Sequence, residues 1–177
     1  MRRKSVFLVV LYLLLLAFLF AYLEIQIEGT KGWAVSLPTW RRRWLGMEWT
    51  GYHLTVWGFL LLLVHFPFVL YPWTGRGEAF VLSFLVLLLL IEDCLWFFLN
   101  RRFCGDDRWR RPKLGGLVPY FYFICAFLVL VFSFLTGDPS WIVASVVLLV
   151  LALASYPFQL TRRPVDEPQD QEREEKA

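Results

Sequence analysis

Hydrophobic positions in this chain do not alternate with polar ones; they run on. The stretch VFLVVLYLLLLAFLFAYL at residues 6–23 has neither a polar face at helical spacing nor the alternation of a strand. Further runs of the same kind follow at residues 52–70, 79–99, 117–135 and 141–159. At 1.5 Å per residue each makes a helix of about 27–32 Å, the thickness of a bilayer's hydrocarbon core. A helix that is apolar all round must be buried in a large core or in lipid, and 177 residues cannot furnish so large a core. The pattern predicts an all-α fold, an integral membrane helical bundle of about five transmembrane helices, as a single domain over residues 1–163. Residues 164–177 are acidic, polar and devoid of aromatics, and read as a disordered tail.

The connections Tyr71-Pro72-Trp73-Thr74-Gly75 and Thr136-Gly137-Asp138-Pro139-Ser140 are short and rich in turn formers. They pair the second run with the third, and the fourth with the fifth, as helical hairpins. The first run follows Arg2, Arg3 and Lys4, as a secretory signal would. It is longer than the usual apolar region of about 7–15 residues, and no small-x-small cleavage site follows, so it is expected to be retained as a helix.

Composition sharpens this picture. Hydrophobic residues make up 58% of the chain and charged residues 19%, and the charge lies mostly in the loops and the tail. Alternating loops put Arg2, Arg3, Lys4 and Arg76 on one side and the other fourteen of the 18 Lys and Arg on the opposite side. The positive-inside rule then predicts a multi-pass protein of the cytoplasmic membrane with its C-terminus in the cytoplasm. The basic cluster touching the first helix argues for the reverse orientation. A nucleic-acid role is not expected, because most of the chain is lipid-facing by composition.

The first loop, residues 33–49, carries Trp40, Arg41, Arg42, Arg43 and Trp44. Pro38 and Thr39 would end the preceding chain and start a short interfacial helix, with Trp40 and Trp44 stacked at i, i+4. Arginine beside tryptophan suits the headgroup layer, with rings at the ester level and cations on phosphate. Arg101 and Arg102 extend the basic surface on the same side, so Arg41, Arg42, Arg43, Arg101 and Arg102 are the headgroup-binding candidates.

The third run, AFVLSFLVLLLLIEDCLWFFL, contains Glu92 and Asp93. An acid at a helix centre costs roughly 2.5–3.5 kcal/mol to insert, and about fifteen apolar neighbours at roughly −0.3 to −0.6 kcal/mol each offset the pair. Insertion therefore stays favourable, yet acids at membrane depth generally serve a task. Measured from the turn at Tyr71, His53 and Glu92 lie within about 6 Å of one another in depth, whereas His65 falls in the other leaflet. Asp93, Trp96 and Asn100 share one helix face, and the fourth run enters from the same side with Tyr120 and Tyr122. The predicted cluster is His53, Glu92, Asp93, Asn100 and Tyr120. Its expected uses are acid–base chemistry, since two adjacent carboxylates in a low dielectric cannot both ionise cheaply, or a divalent cation with His53 and Asn100 as further ligands.

Cys94, Cys104 and Cys125 form no CxxC pair and read as apolar packers plus one loop thiol. No phosphate-binding, dinucleotide-binding, zinc-peptidase or serine-hydrolase signature is present.

The succession GWAVSLPTW, TGYH, HFPF and EDCLWFFLN, over residues 32–100, resembles an uncharacterised family of prokaryotic polytopic membrane proteins. Its members carry proline after the asparagine, where Arg101 stands here. The resemblance implies a multi-span membrane protein and no known activity.

The expected function is binding or modifying a lipid-like anionic substrate at the membrane interface above an intramembrane acidic pair. The alternatives are an assembly or accessory subunit of a membrane complex, and a proton- or cation-coupled transporter subunit. Membrane lipids, another membrane protein and a second copy of the chain are the partners these readings imply.

Overall fold

The first helix, α1 (Arg3–Glu28), runs past the apolar stretch through Glu24, Ile25, Gln26 and Ile27, none of which breaks a helix. Its stop is Gly29, whose φ of +67° is a left-handed conformation that glycine adopts freely. The Gly29 N–H bonds the Ile25 carbonyl at 2.9 Å and closes the last turn. This computed structural model describes residues 3–29, 34, 37–44, 47–100, 113–114 and 118–160. Val6, Leu13, Ala17, Ala21 and Glu28 form a buried stripe along α1, while Phe7, Leu11, Phe18 and Leu19 stay exposed.

The first loop corrects one expectation. Instead of an interfacial helix it contains β1 (Arg41–Trp44) and β2 (Met47–Thr50), antiparallel, with Arg41 opposite Thr50 and Trp44 opposite Met47. Tryptophan and threonine favour the pleated conformation, and only Leu45-Gly46 separates the strands, a spacing that suits a tight hairpin better than a helix. The backbone from Arg41 to Trp44 is therefore extended and offers no helical i, i+4 spacing between Trp40 and Trp44.

Thr50 ends the hairpin and caps the next helix, α2 (Gly51–His65), its hydroxyl accepting the His53 N–H at 3.2 Å. Pro67 has no N–H to continue the ladder, so the expected continuous helix over 52–70 divides into α2 and a single turn, α3 (Pro67–Leu70). Thr74 then caps α4 (Gly75–Leu99) by accepting the Gly77 N–H at 3.1 Å, and Asn100 ends it. A second small hairpin, β3 (Lys113–Leu114) with β4 (Val118–Pro119), precedes α5 (Tyr120–Thr136). Gly137, at φ +66°, turns the chain into α6 (Pro139–Leu160), whose first N–H groups at Ser140 and Trp141 bond Asp138 Oδ1 at 3.0 and 3.3 Å.

The architecture is all-α with two small hairpins. Helix α4 is its axis: α1, α5 and α6 pack around it, and α2 touches it along one edge. Ala79, Phe84, Leu87, Leu88, Ile91 and Cys94 of α4 are buried against these neighbours. Trp141, with no exposed surface, donates its indole N–H to Ser83 Oγ at 2.8 Å and fixes α6 against α4. Cys94 and Cys125 are buried thiols, as expected of apolar packers, and Cys104 lies outside the described residues. Leu60 is the one buried residue of α2, which leaves Leu54, Phe59 and Leu62 facing out.

Among the described residues, Ser5–Glu28, Gly51–Leu70 and Gly75–Leu99 are long and apolar enough to cross a membrane. Phe121–Thr136 and Pro139–Ser155 are apolar but shorter. The tail at 164–177 lies outside the described residues.

Candidate functional site

The polar groups gather where α1 and α4 end and α2 and α5 begin. Leu13, Ala17, Ala21, Glu24 and Glu28 follow one another at steps of three or four, so the stripe that packs α1 against α4 ends in two carboxylates. Glu28, only 5% exposed, sits at the negative end of the α1 dipole, where a carboxylate is disfavoured. Its compensation comes from across the loop. The Ala34 N–H donates to Glu28 Oε1 at 2.8 Å, and His53 Nε2 lies 3.5 Å from the same oxygen. The other ring nitrogen of His53 is 2.6 Å from Thr50 Oγ1, so the hydroxyl that caps α2 also orients the imidazole.

Glu24 stands one turn before Glu28, with the Glu92 carboxyl and the Tyr52 hydroxyl as its neighbours. Glu92 itself is 6% exposed, and its Oε1 is buried with no hydrogen-bond partner among the described residues. Asp93, one residue on and rotated to the α5 side, accepts a hydrogen bond from the Tyr122 hydroxyl. Asn100 is buried and donates its side-chain N–H to the Gly29 carbonyl at 3.0 Å, joining the ends of α4 and α1.

Of the residues expected from sequence, Glu92, Asp93 and His53 are thus drawn to one end of the bundle, with Asn100 bracing its rim. Tyr120 opens α5, but its side chain lies outside the described residues, as do Arg101 and Arg102 altogether. Arg41, Arg42 and Arg43 are exposed on β1, and Arg41 donates to the Ala34 carbonyl beside the Glu28 contact. His65 lies at the far end of α2, as its depth predicted, with Nε2 3.0 Å from Glu78 Oε1 and Trp73 donating to the other oxygen at 2.9 Å.

Glu24, Glu28 and Tyr52 belong to the cluster and escaped the sequence reading, and Tyr122, named there only beside Tyr120, belongs to it as well. The apolar run read from the sequence stops at Leu23, just short of the two glutamates. Their signal was spacing: both continue the Leu13, Ala17, Ala21 stripe. Among the described residues no three His, Cys, Asp or Glu side chains are placed to hold a metal ion, so the geometry lends the divalent-cation expectation no support.

Chemically, the arrangement sets exposed guanidinium groups on a hairpin whose chain leads into a set of carboxyl, imidazole and phenol groups. The chain matches no protein-family model, no curated protein and no solved structure.

Proposed function

We propose that this is a multi-pass integral membrane protein of five crossings that binds an anionic, lipid-like headgroup at the β1–β2 hairpin, above an acid–base site inside the bundle. The observation that carries this reading is covalent continuity. The strand bearing exposed Arg41, Arg42 and Arg43 leads through β2 and Thr50 into α2, whose first turn delivers Tyr52 and His53 to Glu24 and Glu28. A phosphate held by arginine at the headgroup layer would therefore lie next to groups able to give and take protons. The exposed apolar faces of α1 and α2 are what a bilayer would cover, and water would leave them costly. In this reading α5 and α6 cross as well, and the fourteen-to-four bias of Lys and Arg sets the C-terminus in the cytoplasm.

The test is mass spectrometry of the protein released gently from its native membranes, with an R42Q/R43Q variant beside the wild type. Anionic lipid retained by the wild type and lost by the variant is the expected result. Wild-type protein that emerges free of anionic lipid, or a variant that keeps it at the same occupancy, overturns the headgroup site.

A further inference from the structure

We infer that Glu24 and Glu92 form a proton-binding dyad, two carboxyl groups on neighbouring helices that hold one proton between them. The inference concerns the buried end of the bundle and does not require a lipid ligand.

Glu92 Oε1 is buried with no hydrogen-bond partner among the described residues, and the Glu92 carboxyl neighbours a second carboxyl, that of Glu24. If Glu92 were ionised, a buried carboxylate would face a second carboxyl group in a low dielectric with no donor to Oε1 among the described residues, which is costly. If Glu92 is the neutral acid, Oε1 is an under-satisfied carbonyl, which folded proteins tolerate far better. Its O–H then donates to Glu24, and a carboxyl-to-carboxyl hydrogen bond cannot exist without such a proton.

Glu24 is fitted to be the acceptor. It is the less buried of the two, and the Tyr52 hydroxyl beside it is a donor that a carboxylate oxygen can accept from. The titratable groups around the dyad are Glu28 on α1, Tyr52 and His53 on α2, Asp93 on α4 and Tyr122 on α5. Asp93 is engaged by Tyr122, and Glu28 by His53 and the Ala34 N–H.

Infrared spectroscopy of the full-length protein in lipid nanodiscs reads this directly, because solvated Asp and Glu are ionised at neutral pH and absorb only as carboxylates. The wild type is expected to show a protonated-carboxyl C=O band at neutral pH. E92Q should abolish it. E24Q should move it to higher frequency, since an amide carbonyl is a weaker acceptor than a carboxylate. E78Q, at the opposite end of α4, should leave it unchanged. Absence of the band in the wild type overturns the inference, and so does a band that survives in E92Q. A band at the same frequency in E24Q also overturns it, by reducing the dyad to a lone acid. Should E92Q fail to fold, the wild-type and E24Q spectra still decide.

Discussion

Asp93 and Glu92 are adjacent in sequence, yet the helix turns them about 100° apart and gives them different partners. Asp93 takes the Tyr122 hydroxyl from α5, whereas Glu92 faces Glu24 on α1. Removing the Tyr122 hydroxyl leaves a half-buried carboxylate without that donor. Y122F should therefore lower stability by about 1.5–3 kcal/mol, the range for hydrogen bonds to charged groups. Thermal unfolding in mild detergent measures it, and an unchanged midpoint would show that other donors satisfy Asp93. At this scale the sequence singled out Glu92, Asp93 and His53, which the fold draws to one end of the bundle, because ionisable groups in an apolar run stand out. It did not pair Asp93 with Tyr122, since which side chains meet depends on how α4 and α5 are rotated against each other.

The glycines that bound the elements act through different physics. Gly29 has φ +67° and open space where a Cβ would stand, so G29A costs only the left-handed conformation, about 1 kcal/mol. Gly51 has an ordinary backbone but no room. A Cβ there would lie 2.7 Å from Trp40 Nε1 and 2.8 Å from Thr39 Oγ1. G51A must push the Trp40 ring aside and loosen the hairpin from α2, so trypsin should cut after Arg41, Arg42 and Arg43 faster than in wild type, with helix content unchanged. Equal cleavage rates would mean that the hairpin does not depend on that contact. Helices were legible at this scale because a long apolar run has few other solutions. The hairpin was not, because Trp, Arg and Thr over a few residues suit an interfacial helix and a strand pair alike until pairing is known.

The whole molecule places its most buried helix at the centre and its most lipid-like faces outside. Burial of α4 against α1, α5 and α6 leaves α2 as an outer helix with apolar side chains pointing away. Five crossings require that the α5–α6 turn and the C-terminus lie on opposite sides. A P139C variant should react with an impermeant thiol reagent from the outside of right-side-out vesicles, and Q169C only after permeabilisation. Labelling of both from one side would mean that α6 does not cross.

From the amino-acid order alone came the helical class, the apolar runs, the presence of two acids within one of them and the separation of His53 from His65. These follow from local physics, because a helix's rise per residue and the cost of wet apolar surface act on each segment by itself. Tertiary structure alone decided that α1 extends to Gly29 and brings Glu24 and Glu28 to Glu92, and that His53 answers Glu28. It also decided that Tyr122 answers Asp93. Those contacts join residues tens of positions apart, and which side chains meet depends on helix rotation and packing, which no single segment encodes.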